Sequence, residues 1–319
     1  MTTAVAGTEA VRGPTISVVV PVYCNEESLP LLFDALLGVE ASLRERGLAL
    51  ELIFVDDGSL DGSLAVLKEL KRRRPATKVV KLARNFGSVH ASKTGFAYVT
   101  GDTFMILAAD LQDPPELIVQ MADRWRQGCK FVVCVREGRE DGVAARLSSW
   151  VFYRIVRLMV VKDYPRGGFD MALMSRELLP HLLASARHAN TALFAYWLGF
   201  KPEFIYYVRQ RRRHGKSRFT LRKRVKFFVD SIVGFSIVPL RVMSVIGVVV
   251  AVASFGYGGV IAVNALRGLT IVKGFATLAV LLSFLLGLVI AMLGVVGEYV
   301  WRIYDEVSRK PESVVEEVL

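Results

Sequence analysis

The chain has 319 residues, a formal net charge of +11 and 53% hydrophobic residues, a share above that of ordinary soluble domains. That length admits one large domain or two smaller ones. Its three cysteines, Cys24, Cys129 and Cys134, have neither CxxC nor metal-finger spacing; this excludes a disulfide scaffold or zinc module and fits reduced residues facing the cytosol.

Met1 to Pro14 contains no apolar h-region, so no signal peptide is expected. Thr15–Tyr23 reads as a buried strand, β-branched and continuous. Ser28–Leu43 has helical spacing, with Leu29, Leu32, Phe33, Leu36 and Leu37 on one face. Glu51–Val55 is the next strand, and Asp61 caps a helix reaching Arg73. Lys78–Leu82 is a strand, Ser88–Val99 a small-residue helix, and Thr103–Ala109 a strand. Pro115–Gln127 is a helix, Phe131–Val135 a strand, and Gly142–Val161 a helix carrying Arg146, Arg154 and Arg157. A loop over Tyr164–Asp170 precedes short helices at Arg176–Ala186 and Thr191–Leu198 and a strand at Glu203–Val208. Phe219–Phe235 has the pattern of an interfacial amphipathic helix; a packed juxtamembrane helix has the same pattern. No charge lies between Arg241 and Arg267, or between Lys273 and Glu298. Each run exceeds the roughly 20 residues needed to cross a bilayer core. Spans are therefore expected at about 239–266 and 275–300, joined as a hairpin.

Strands alternating with helices predict an α/β fold with a doubly wound, mostly parallel sheet. Successive strands end in polar residues: Asn25-Glu26, Asp56-Asp57, Arg84-Asn85, Asp110 with Gln112, and Arg136-Glu137. In a parallel sheet such ends converge on one edge, where ligands of open α/β sheets bind. No strand is followed by G-x-G-x-x-G or G-x-x-x-x-G-K-[ST], which excludes a dinucleotide fingerprint and a P-loop. The organising stretch is Ala108-Ala109-Asp110-Leu111-Gln112-Asp113-Pro114-Pro115-Glu116. Asp110, Gln112 and Asp113 offer hard oxygen ligands suited to Mg²⁺ or Mn²⁺ on a diphosphate. An isolated D-x-x-D-P also caps a helix at the prolines.

The +11 charge also has an address. Arg209–Lys226, RQRRRHGKSRFTLRKRVK, holds ten Lys and Arg and no acid. Beside a span, such a block marks the cytoplasmic side and favours anionic lipid or phosphate over nucleic acid.

Taken together, Pro21-Val22-Tyr23 with Asn25-Glu26-Glu27, Val55-Asp56-Asp57-Gly58-Ser59, Arg84-Asn85-Phe86-Gly87 and Ala109-Asp110-Leu111-Gln112-Asp113-Pro114-Pro115 resemble family 2 glycosyltransferases, closest to their polyprenyl-phosphate group. The resemblance covers about Ile16 to Arg302. It implies a GT-A fold and a nucleotide-sugar donor, with UDP-sugar favoured over GDP-sugar, bound near Pro21, Tyr23, Glu26, Asp56, Asp57, Arg84 and Asp110. It implies a metal on Asp110 and Gln112. It matches Asp170, in Gly168-Phe169-Asp170, to an aspartate often proposed as catalytic base, and Ser217 and Arg218 to a segment near the acceptor phosphate. Where the family often has D-A-D, this chain has Ala108 in the first position, so more coordination falls to the donor. Cys24 inside the first motif shifts its acids by one.

A lipid-phosphate acceptor needs cations near the membrane plane, and Arg136, Arg139, Arg213, Lys216 and Arg218 are the candidates, with Ser217 beside them. Because such a phosphate is largely dianionic at pH 7, Asp170 is expected to orient acceptor and anomeric carbon, with proton removal secondary. The expected organisation is a tail (1–14), a cytoplasmic transferase domain (15–218), an amphipathic helix (219–238), two spans (239–302) and a cytoplasmic tail (303–319). The expected activity is inverting, metal-dependent transfer of one sugar to polyprenyl phosphate at the cytoplasmic membrane face. A processive polysaccharide synthase and a non-catalytic scaffold are the other readings. Gly256, Gly258, Gly259, Gly287 and Gly294 permit the close helix contacts of a homo-oligomer.

Overall fold

The computed structural model describes residues 13–137, 143–165, 168–187, 190–208, 228–268 and 274–319. The chain divides into two compact units, Met1–Ser231 with Pro311–Leu319, and Ile232–Lys310.

The first unit is built on an eight-stranded sheet of order β7-β5-β6-β4-β1-β2-β3-β8. Its strands are β1 (Thr15–Val22), β2 (Ala49–Asp56), β3 (Lys78–Leu82), β4 (Thr103–Ile106), β5 (Phe131–Arg136), β6 (Phe169–Ser175), β7 (Glu203–Tyr207) and β8 (Val315–Val318). β1 pairs in parallel with both β2 and β4, β2 with β3, and β5 with β7. β6 runs antiparallel between β4 and β5, and β8 antiparallel to β3. β1 to β5 and β7 therefore all point one way, and their carboxyl ends share one edge.

Both faces of the central strands are buried, which is why β1 and β2 read as unbroken apolar runs. On one face Val18, Val20 and Phe54 pack with Phe33 and Leu36 of α1 (Leu29–Glu45), Leu67 of α2 (Ser63–Arg73) and Met121 of α4 (Leu117–Arg126). Each such side chain contributes about 1.5–3 kcal/mol when fully buried. The opposite face receives α3 (Ser88–Phe96). A Cβ on Gly95 would lie 2.3 Å from Val19 Cγ1, so the missing side chain is what lets α3 close onto β1. Along the remaining chain lie α5 (Val143–Met159), a 3₁₀ turn at Arg176–Leu178, α6 (Leu179–Leu183) and α7 (Thr191–Trp197).

Several boundaries differ from the sequence reading. β4 stops at Ile106, although Leu107 N still donates to Val19 O at 2.9 Å. Phe169 and Asp170, expected in a loop, begin β6. All of β6 except Asp170 is buried, so it lacks the alternation that marks a half-exposed strand. β8 has no counterpart in the sequence reading, being four residues, Val-Glu-Glu-Val, with two charges.

The second unit holds α8 (Val238–Leu266) and α9 (Phe275–Val307), both long and apolar enough to cross a membrane. α9 runs past the expected end at 300. The expected amphipathic helix over 219–235 falls largely outside the described residues; 228–233 is helical.

Candidate active site

The loops at the carboxyl edge are tied to one another through backbone groups. Asp57 N donates to Val22 O at 2.8 Å, Cys24 N to Ser59 Oγ at 3.0 Å and Asn25 N to Ser63 Oγ at 2.8 Å. Ser28 Oγ donates to Ala109 O at 2.7 Å, joining the start of α1 to the end of the β4 segment. Two non-glycine residues on this edge are left-handed, Cys24 (φ 51) after β1 and Leu111 (φ 57) after β4. For a side chain like leucine this costs on the order of 1–3 kcal/mol and persists only where the surroundings over-determine it.

Leu111 packs against the core, and Asp110 and Gln112 on either side of it are each partly exposed. Gln112 N donates to Asp110 Oδ1 at 3.2 Å, an Asx-type turn that sets the carboxylate at the edge. Asp113 points elsewhere: it is 4% exposed and accepts a 2.6 Å bond from the Tyr207 hydroxyl. The same hydroxyl lies 3.5 Å from Asp170 Oδ2, so its single hydrogen is committed to Asp113. Burial first, then the Asp113 carboxylate, pushes the Tyr207 phenol well above its ordinary range and keeps it neutral.

Asp170 pairs with Arg136, the last residue of β5. Burial works against the Arg136 charge, and the Asp170 carboxylate more than restores it. Arg136, expected on a lipid phosphate, is thus already balanced by an anion. Because β6 is antiparallel, its beginning, not its end, brings Asp170 to the edge beside Arg136 and Tyr207. Tyr207 is the site residue that sequence reasoning misses. Its signal is a tyrosine on the inward face of an edge strand, where its hydroxyl needs a partner.

The two acids at the end of β2, Asp56 as its last residue and Asp57 next to it, divide the work. Asp57 accepts from Phe86 N at 2.7 Å and Gly87 N at 2.9 Å, holding the 84–87 loop. Gly58 beside it (φ 65) leaves room for that loop, since a Cβ there would meet Arg84 C at 2.6 Å. Asp56 is 1% exposed, with Ser59 N 3.4 Å from Oδ1. Burial raises the pKa of both acids, despite the hydrogen bonds that oppose it. For Asp56 the sign is clear. A carboxyl whose folded pKa lies above its unfolded value loses stability as pH rises through that window. Asp56→Asn should therefore melt higher than the wild type at pH 7, with the gap closing as pH falls through the raised pKa. A pH series of melting temperatures in detergent checks this; an Asn variant that melts lower throughout would refute it.

Of the other expected donor contacts, Pro21 lies in β1 opposite Val55 and Tyr23 just beyond its end. Arg84 is exposed, with its guanidinium 4.1 Å from the Phe86 ring centroid. Glu26 has a structural partner: its Oε2 accepts from Gly62 N at 2.9 Å, at the N-terminus of α2, where a negative charge is favoured. Arg139, Arg213, Lys216, Ser217 and Arg218 lie outside the described residues.

No group of three or more His, Cys, Asp or Glu among the described residues could hold a metal. Asp110 and Gln112 alone fit a divalent ion that draws most of its ligands from a bound diphosphate and water, as Mg²⁺ commonly does.

The model of Glycosyl transferase family 2 matches residues 17–183. A bactoprenol glucosyl transferase derived from prophage SfII in Shigella flexneri is 32% identical over 302 residues, covering 94% of this chain and 97% of that protein. A prophage bactoprenol glucosyl transferase homolog of Escherichia coli (strain K12) is 30% identical, covering 95% and 99%. An uncharacterized glycosyltransferase of Synechocystis is 32% identical over 306 residues, covering 95% of each. Among solved structures, a mannosyltransferase of Pyrobaculum calidifontis is 19% identical, with a TM-score of 0.48, covering 69% of this chain and 64% of that one. With a family match over more than half its length and relatives 30–32% identical across nearly all of it, this chain belongs to glycosyl transferase family 2 and is a glycosyltransferase.

Proposed function

We propose that this enzyme transfers one sugar from a nucleotide-sugar donor to polyprenyl phosphate, with inversion, at the cytoplasmic face of a membrane. The observation that carries the reading is the similarity to bactoprenol glucosyl transferases over 94% of the chain, the apolar helices included. The chain leaves its first unit for two such helices and returns to it. Two spans in series put both of their ends on one side. The basic run before the first helix supports the cytoplasm as that side.

In this reading the nucleoside sits against Asp56, and the diphosphate lies over the Asp110–Gln112 turn. A divalent ion held there would neutralise charge on the departing diphosphate. Asp110 and Gln112 would hold that ion, and the anomeric carbon then faces Asp170 and Arg136. An acceptor phosphate oxygen attacks that carbon as its bond to the diphosphate breaks, and a single displacement inverts the centre. The acceptor needs little deprotonation, since its second pKa is near 6. Asp170 holds Arg136 in place for the incoming phosphate. Tyr207 ties Asp113, in the donor loop, to the β6–β7 side of the site.

The test incubates membranes containing the protein with polyprenyl phosphate and radiolabelled UDP-, GDP- and dTDP-sugars. One labelled lipid is expected, cleaved by mild acid and made from a UDP-sugar. Label entering long polymer would instead favour a processive synthase, and no label from any donor would defeat the reading.

A further inference from the structure

The last nine residues belong to the first unit, where they pair along β3 and meet α3, the two elements that one short loop joins. Residues 84–87 join β3 to α3, and their amides at Phe86 and Gly87 are the ones that hold Asp57. Just before the loop, Ala83 N donates to Val314 O at 2.9 Å, continuing the pairing of Leu82 with Val315. Lys81 Nζ donates to Glu316 Oε1 at 2.7 Å. In the second turn of α3, Lys93 donates to Glu312 Oε1 at 2.7 Å. Thr94 Oγ1 and Ser313 Oγ share a hydrogen bond, and His90 Nδ1 stands 3.9 Å from Glu312 Oε2.

The Lys93–Glu312 pair is not a surface decoration. The Lys93 side chain is 8% exposed and that of Glu312 28%. Lys93 also donates to Ser185 O, so the pair links α3, the end of α6 and the C-terminal segment. Burial tends to raise the Glu312 pKa, but the nearby His90 and the bond from Lys93 outweigh it and hold it below the ordinary value. Removing one partner of such a pair leaves a buried charge uncompensated.

We infer that the C-terminal segment is a built-in part of the donor site, and that Glu312 is a positioning residue for nucleotide-sugar binding. It touches neither donor nor acceptor. With Val314 and Ser313 it ties β3 at Ala83 to α3 at Lys93 and Thr94, the two elements between which the 84–87 loop is strung. That fixes the two amides on Asp57 and the wall that Arg84 and Phe86 present to the nucleoside pocket. A loop held before the ligand arrives spares the ordering cost that would otherwise be charged to binding. This inference rests on the donor site proposed above, on the same strand ends.

The experiment uses the full chain in detergent with Glu312→Ala and Glu312→Gln. Glutamine keeps one acceptor for Lys93, and alanine keeps none. Three quantities are read: Kd for UDP alone, the separate KM values for donor and lipid phosphate, and amide hydrogen exchange at residues 84–90. Glu312→Ala should raise the UDP Kd and donor KM by about tenfold, the scale of one ordering penalty of this kind. Acceptor KM and kcat at saturating donor should stay within about twofold, and exchange should quicken at Phe86 and Gly87. Glu312→Gln should fall between the variant and the wild type. Equal exchange in wild type and Glu312→Ala would overturn the proposal. So would a kcat loss with both KM values unchanged. If the wild type binds no UDP, the donor reading has failed, and the exchange measurement still decides whether Glu312 positions the loop.

Discussion

Asp110→Asn should lower kcat/KM for sugar transfer by about a hundredfold, the upper end of losses seen when groups supporting a bound metal are changed. The substitution is nearly isosteric. It retains an oxygen to accept from Gln112 N, so the turn should persist. What it removes is the formal charge of the carboxylate that the Asp110–Gln112 turn holds at the edge. No cluster of three or more acidic, histidine or cysteine ligands exists among the described residues to replace it. The loss should therefore appear in kcat at saturating nucleotide sugar, with UDP binding in the absence of metal nearly unchanged. Raising Mg²⁺ or Mn²⁺ should recover part of the rate, because the variant is weakened in holding the ion. Transfer of labelled sugar, measured across a metal series, checks this; near-wild-type transfer at low metal would sink the assignment of Asp110.

Asp170→Asn should reduce kcat by about ten- to a hundredfold, at or below the lower end of what a positioned acid or base supplies. It should nevertheless keep the acidic limb of the pH–rate profile. The reason lies in the acceptor. A phosphate monoester loses its second proton near pH 6, so that limb belongs to the substrate and survives when the aspartate is neutralised. The rate falls for another cause. Arg136 is 16% exposed and loses the anion that offsets its burial, so its guanidinium is no longer held for the incoming phosphate. KM for lipid phosphate should move more than KM for donor. A profile that becomes flat below neutrality would instead make Asp170 the base that removes a proton.

The doubly wound sheet is legible because β1 to β5 each announce themselves in the same way. Apolar runs such as Ile16–Val22 and Leu52–Val55 end in acids, amides or arginines, and a parallel topology turns that repetition into a single edge. β6 leaves no such trace. Met171 and Leu173 on one face are buried like Ala172 and Met174 on the other, and a strand buried on both sides loses its period. The chemistry of the edge is legible by residue type but not by partner. Asp56 and Asp57 are adjacent acids in the sequence, yet one meets Ser59 and the other holds a loop from the next strand. Asp113 stands beside the candidate ligands Asp110 and Gln112 in the sequence, and the Tyr207 hydroxyl that it meets comes 94 residues later. Glu26 reads as a ligand contact and is found on the N-terminus of α2. Glu312 could not be read at all, because its importance lies wholly in the distant residues it meets.

The pairing of β3 with β8 sets an order of events during synthesis. Lys81 and Glu316 are 235 positions apart, and both apolar helices lie between them. At about 5–20 residues per second, β3 remains the open border of the sheet for many seconds after it leaves the ribosome. An uncovered strand border is a template for pairing with other chains, and lysines on it are a known deterrent. β3 reads Lys-Val-Val-Lys-Leu, and Lys81 on it later takes Glu316 as its partner. The same lysine can thus guard the nascent border and fasten the finished one. The sheet is completed only after both apolar helices have been made, so a chain stalled within them leaves that border open.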